Sequence, residues 1–201
     1  MQVNSFETKE DWLIARRGKI TGSALKDIIV KRGTGKKIGF YKLIAERLAI
    51  PEGTEESAMD RGTRLEIEAL ERFEKETGKK VDNSLVIWSR SDNPSIAVSP
   101  DGVISEKEAV EVKCLASERH IQALLEDKVP DDYWEQVLQY FAVNDKLETL
   151  YFAMYDPRLY KKDFFYFTIT REQVQDEVSY VLDYQKQILS EVEQITNELT
   201  F

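Results

Sequence analysis

The chain has 201 residues, 42% of them hydrophobic, with a net charge of −9, which suits one well-buried core. No run approaches the roughly 18 apolar residues of a membrane helix, and polar Gln2, Asn4 and Ser5 open the sequence where a signal peptide would not, so a single cytoplasmic domain over 1–201 with no membrane contact is expected. One cysteine, Cys114, excludes an internal disulfide and a cysteine-held zinc or iron–sulfur site, and the lone His120 says little about a metal.

Taken in chain order, residues 9–17 read as a short helix carrying Trp12 and Leu13 and broken by Gly18. A second helix begins near Thr21 or Ser23, either of which can cap it, with Ala24, Leu25, Ile28 and Ile29 on its apolar stripe. Residues 31–39 form a basic, glycine-rich loop. Tyr41, Ile44, Ala45 and Leu48 mark a helix stopped by Pro51 and Gly53. A longer helix spans 58–77, with Gly78 as its C′ residue. The period then changes. Short strands over 85–88, 96–98, 103–104 and 109–114, separated by turn residues, predict a meander. Helical patterning returns over 118–126 and 131–143, Pro130 being suited to the start of the second. Strands over 150–155 and 163–169 follow. The last helix opens with a Thr170–Gln173 capping box. Its Val174, Val178, Val181, Gln185, Ile188, Val192, Ile195 and Leu199 make a heptad-like seam that packs on the chain's own core or, distally, on a neighbouring subunit.

Chemistry concentrates in the middle. Acid-x-Lys triplets begin at Glu7, Glu111 and Glu126, so the triplet alone means little. Only the Glu111 copy lies in an alternating strand, where Val110, Val112 and Cys114 take one face and Glu111 and Lys113 the other. Asp101 precedes Gly102 at a turn into the neighbouring strand, so a hairpin brings its carboxylate beside Glu111. Hard divalent cations such as Mg²⁺ bind oxygen ligands of this kind, here Asp101, Glu111 and the Val112 carbonyl, and leave positions for water and a phosphate. Such an ion polarises a phosphoryl oxygen and acidifies bound water, while Lys113 orients or deprotonates that water and offsets developing charge. Glu66 shares a helical stripe with Gly62, Ala69, Leu70 and Phe73, which turns a carboxylate toward the core, where it needs a partner. Net negative charge argues against simple phosphate neutralisation but not against metal-held phosphate chemistry. The basic residues are uneven, with Arg16, Arg17 and Lys19 in one cluster and Lys31, Arg32, Lys36 and Lys37 in another.

These residues, in this order, resemble the phage lambda exonuclease-like nucleases of the PD-(D/E)xK superfamily. The landmarks are Trp12, residues 16–23 (Arg-Arg-Gly-Lys-Ile-Thr-Gly-Ser), Gly35-Lys36-Lys37, Gly62-Thr63-Arg64-Leu65-Glu66, Ser99-Pro100-Asp101-Gly102, Glu111-Val112-Lys113-Cys114, Gln136-Val137, Tyr151-Phe152-Ala153 and Tyr155-Asp156-Pro157-Arg158. The resemblance implies an α+β fold, with a mixed central β-sheet flanked by helices and a long C-terminal helix. It further implies a Mg²⁺-dependent exonuclease with a pair of ions per site, Mn²⁺ being an acceptable substitute. Such an enzyme degrades one strand of duplex DNA from its 5′ end as a ring-shaped homotrimer, with a single-strand annealing protein as partner in phage or prophage recombination. Asp101 and Glu111 then correspond to metal ligands, Lys113 to the catalytic lysine and Glu66 to the helix-borne acid. Arg16, Ser23 and Ser99 correspond to residues holding the terminal phosphate. The family's Gln-x-Gln pair stands here as Gln136-Val137-Leu138-Gln139. Either glutamine can face the phosphate, and Gln136 is favoured because it shares a helical face with Tyr140. Leu115 stands where proline is common. Two other readings are a restriction- or repair-type endonuclease with the same core, and a non-catalytic DNA-end-binding module.

Overall fold

The computed structural model describes residues 8, 35, 37–48 and 58–199, the side chains of 43, 46–48, 58–63 and 191–199 excepted. The helices expected over 9–17 and from Thr21, most of the 31–39 loop, and the candidate phosphate residues Arg16 and Ser23 lie outside the described residues. The elements in order are α1 (Ile38–Leu48), α2 (Ala58–Thr77), β1 (Trp88–Ser89), β2 (Ala97–Val98), β3 (Gly102–Ser105), β4 (Glu108–Lys113), α3 (Ser117–Glu126), a 3₁₀ turn (Asp131–Tyr133), α4 (Trp134–Val143), β5 (Thr149–Tyr155), β6 (Phe164–Thr170) and α5 (Arg171–Leu199). Among the described residues, no helix is long and apolar enough to cross a membrane.

The central sheet has the order β3-β4-β5-β6. It is mixed, because β3 and β6 run antiparallel to their neighbours while β4 and β5 are parallel, with Glu111 opposite Phe152 and Lys113 opposite Met154. A parallel pair needs a long crossover, and the segment carrying α3 and α4 supplies it. One face of the sheet is covered by α2, where Ala69, Leu70 and Phe73 pack with Val110, Val112 and Ala153. On the other face Val137, Leu138, Phe141, Val174 and Val178 of α4 and α5 pack with Phe152, Leu150 and Met154. Strand β5 is buried on both sides, which explains its nearly unbroken apolar run.

The expected meander divides in two. β1 and β2 form a separate antiparallel pair, Trp88 opposite Val98, while the outer edge of β3 is taken by Asp82, which exchanges 2.8 Å backbone hydrogen bonds with Val103. Pro100, which has no N–H to give a ladder, separates β2 from β3. The strand expected over 85–88 pairs only from Trp88 onward. Leu85 and Ile87 are exposed, so the apolar run there is not matched by burial. Two helix starts also shift. Helix α1 begins at Ile38, inside the span expected to be loop, because Tyr41 and Ala45 bury against Ile121 of α3. The helix expected over 131–143 opens as a 3₁₀ turn before α4.

Local signals that hold are the helix ends. Gly78 adopts φ +71° and donates its N–H to the Glu74 carbonyl at 2.8 Å, a left-handed stop. Gln173 Oε1 accepts the Thr170 N–H at 2.8 Å, one half of the capping box. Gly102, next to Asp101, is demanded by close approach. A Cβ there would lie 2.3 Å from Val81 Cγ1 and 2.7 Å from Val110 Cγ1. Gly102→Ala is expected to destabilise the protein by about 1–3 kcal/mol, the usual range for overpacking, and to lower its thermal unfolding midpoint. An unchanged midpoint would mean that the hairpin leading from Asp101 is free to move.

Candidate active site

The site lies where β4 outruns β3. Asp101 stands immediately before β3, and its Oδ2 accepts the backbone N–H of Val112 at 2.8 Å. In a strand the N–H and C=O of one residue point to the same side, so the Val112 carbonyl also faces this edge, where β3 has ended. Alternation along β4 sends Val110 and Val112 into the α2 core and Glu111 to the α4 side.

Glu111 is 1% exposed and is held by donors on every side. Gln136 Nε2 donates to its Oε1 at 2.6 Å, the Lys113 ammonium donates to the same oxygen, and the Tyr140 hydroxyl donates to Oε2. Burial, and then the neighbouring Asp101, push its carboxyl up to about 7 despite those donors. Asp101 is likewise raised by burial, against the pull of the Val112 N–H and Lys113. Half-buried Glu66 reaches this group from α2. Burial raises its carboxyl first and Asp101 second, with Lys113 opposing. Tyr140 is raised as well, by burial and then by Glu111.

Four of the expected residues, Glu66, Asp101, Glu111 and Lys113, are therefore electrostatically coupled in one place, and Gln136 joins them. Gln139 instead donates to the Ala97 carbonyl at 3.0 Å and ties α4 to β2. Ser99, two residues from Asp101, is exposed and donates to the Val86 carbonyl at 2.8 Å. Two further residues line the site, Tyr140, named above only as the face-mate of Gln136, and Tyr133. Tyr140 closes the bottom of the site on Glu111, and the Tyr133 ring lies 5.1 Å from the Lys113 ammonium while packing on Phe152, a cation–π arrangement. Their spacing from Gln136, three before and four after, places all three on one helical face, a signal available in the sequence.

Acidic oxygens of this kind suit a hard divalent cation. Like charges gathered around one lysine raise one another's affinity for positive charge, and oxygen is the donor such cations prefer. Yet among the described residues no three acidic, histidine or cysteine side chains converge on a common point. Both Glu111 oxygens are committed, with the Lys113 ammonium on one of them. Lysine and cation compete for one carboxylate, so a cation would bind with Lys113 drawn off Oε1.

Residues 11–147, more than half of the chain, match the YqaJ-like viral recombinase domain. The chain belongs to that family. No curated protein matches the sequence. Among solved structures, this recombinase-family chain is similar to an alkaline exonuclease, LHK-Exo, from Laribacter hongkongensis, at 26% identity over 96% of this chain and 100% of that one, TM-score 0.54. It is also similar to LHK-Exo in complex with dAMP, at 26% identity over 94% and 97% of the two chains, TM-score 0.60. The mixed sheet and flanking helices of this recombinase domain are thus the PD-(D/E)xK-type fold of alkaline exonucleases.

Proposed function

We propose that the chain is a metal-dependent deoxyribonuclease that removes one strand of linear double-stranded DNA from its 5′ end, in phage or prophage recombination by strand annealing. The observation that carries this reading is the gathering of Asp101, Glu111 and Lys113 at the end of β4, Asp101 on the Val112 N–H and Lys113 on Glu111, with Glu66 facing them from α2, in a chain whose structural relatives are alkaline exonucleases.

Asp101, Glu111 and the Val112 carbonyl would hold Mg²⁺, or Mn²⁺ in its place, the resemblance implying a pair of ions per site. Bound there, the cation supplies Lewis acidity to the phosphoryl group. The protein's own groups do the rest. Tyr140 and Gln136 fix the Glu111 carboxylate so that it does not rotate away from the reacting centre. Lys113, freed from Glu111, faces the attacking water or the phosphoryl oxygens, where a positive charge stabilises the transition state more than the ground state. Tyr133 limits how far that ammonium can swing. Glu66 stands beside Asp101 on the α2 side. Arg16, Ser23 and Ser99 receive the terminal phosphate, Gln136 serving both that phosphate and Glu111. Double-stranded DNA ends are the substrate, a homotrimeric ring around the duplex is the assembly, and a single-strand annealing protein in the cytoplasm of a bacterial host receives the product strand.

End dependence tests the reading. With Mg²⁺, linear duplex DNA should be consumed while covalently closed circles survive, and 5′-phosphorylated ends should be degraded faster than 5′-hydroxyl ends. Efficient cutting of circles would replace the exonuclease by an endonuclease of restriction or repair type. Binding of ends with no cleavage in any divalent metal would leave only a DNA-end-binding module.

A further inference from the structure

The connection between β5 and β6 sits at the same end of the sheet as Lys113, because β4 and β5 run parallel with Lys113 opposite Met154. Its base is tightly built. Asp156, fully buried, accepts the Ser117 hydroxyl and, at 2.7 Å, Nε of Arg158, whose Nη2 also donates to the Leu115 carbonyl at 3.2 Å, two residues beyond Lys113. The Asp156 N–H donates to the Asp163 carbonyl at 2.8 Å and closes the loop. Leu159 is buried beside Tyr41 and Ile121.

Its tip is the opposite. Tyr160 is 87% exposed, and Lys161 and Lys162 are exposed beside it. Lys162 has φ +64°, in the left-handed region that non-glycine residues rarely enter, and buried His120 holds it there by donating Nε2–H to its carbonyl at 2.9 Å. Strained backbone that the surrounding fold over-determines is a mark of a functional segment. Several other surface lysines are matched by carboxylates, as in Lys79–Glu108, Lys107–Glu148, Lys146–Glu106 and Lys186–Asp92. Among the described residues, neither Lys161 nor Lys162 has an ion-pair partner. A tyrosine ring and two uncompensated ammonium groups, presented on an anchored loop of an acidic protein, have the chemistry that grips nucleic acid: phosphate neutralisation by lysine and stacking on a ring.

We propose that Tyr160, Lys161 and Lys162 form a DNA contact separate from the cleavage centre, in which the two ammonium groups hold backbone phosphates and Tyr160 stacks on an unpaired base. This rests on the nuclease reading and adds to it a grip on the strand beyond the scissile end.

The test uses the full chain, with binding followed by fluorescence anisotropy in EDTA and cleavage followed with Mg²⁺, over a range of salt. Lys161→Gln with Lys162→Asn, asparagine being tolerant of the left-handed region, is expected to weaken binding about five- to tenfold at low salt. It should also make the slope of log affinity against log salt shallower by about one to two, with kcat at saturating DNA unchanged. Lys161→Gln alone, which leaves the left-handed residue in place, should give about half that change in slope. Tyr160→Ala should weaken binding to overhang-bearing DNA more than to blunt duplex. A wild-type salt slope and KM in both lysine variants would overturn the contact, as would a collapse of kcat with KM unchanged. If wild-type protein neither binds nor cuts DNA, the nuclease reading falls and takes the contact with it. If wild-type protein cuts and the lysine variants match it throughout, the contact alone falls.

Discussion

Lys113→Ala should abolish cleavage, by roughly 10³-fold or more in kcat, while DNA binding is largely kept. Removing one preorganised group that meets developing charge costs on the order of 10²–10³ in rate, and the groups described around Lys113 are acidic or neutral and cannot replace it. Its ammonium lies on Glu111 and 5.1 Å from the Tyr133 ring. The alanine variant therefore leaves Glu111 short of a neutralising partner, and binding of a divalent cation should be kept or strengthened as that competitor disappears. Single-turnover cleavage and anisotropy on one duplex separate the two effects. Cleavage at the wild-type rate would remove Lys113 from the chemistry, and lost DNA binding would assign it to substrate recognition instead. Lys113→Arg adds a distinction. Guanidinium stays charged, so retained activity marks an electrostatic role and lost activity marks proton transfer.

Glu111→Gln should also abolish cleavage, but it should stabilise the metal-free protein above neutral pH. The sign follows from linkage. Burial raises the Glu111 carboxyl from 4.5 to about 7 in the folded protein, so the folded state binds its proton more tightly than the unfolded chain does. Stability from this group is full below about 4.5 and is lost as pH rises through about 7. The loss, at 1.36 kcal/mol per unit, is about 3 kcal/mol at alkaline pH. Burial raises Asp101 in the same direction, so it adds to this slope. Glutamine keeps the shape of the protonated acid and carries no charge to bury. Thermal unfolding in EDTA should therefore show wild type and variant close together near pH 5 and the variant higher near pH 8. Mg²⁺ should close that gap by raising only the wild type, and more strongly at pH 8, because cation and proton compete for one carboxylate. Equal unfolding midpoints at pH 8 without metal would contradict the raised affinity of buried Glu111 for its proton.

Much of the candidate site was legible in the linear chain. The alternation over 109–114 put Glu111 and Lys113 on the face opposite Val110 and Val112, and the Asp101-Gly102 turn announced the hairpin, because strand period and turn chemistry are local properties. The helical stripe through Leu70 and Phe73 likewise turned Glu66 toward the site. Helix ends at Gly78 and at Thr170–Gln173 follow from backbone conformation and a side chain three residues away. What was misread was non-local. Leu85 to Trp88 form an apolar run of strand type, yet Leu85 and Ile87 are exposed, and Asp82 occupies the edge of β3. The start of α1 moved because its burial partner, Ile121, is far along the chain.

By itself the sequence determined the local pieces: which residues share a face, where helices stop, and that carboxylates and a lysine meet across a hairpin. Tertiary structure alone decided what surrounds them. Parallel pairing of β4 with β5 across a long crossover swings α4 over the strand, so that Gln136 and Tyr140 close on Glu111 while Gln139 is spent on Ala97. That packing also sets the burial that lifts Glu111 toward neutrality, and it places the Tyr160–Lys162 tip at the same end of the sheet. Proximity between residues distant in sequence, and the desolvation that comes with it, depend on the whole fold at once, and no local period encodes them.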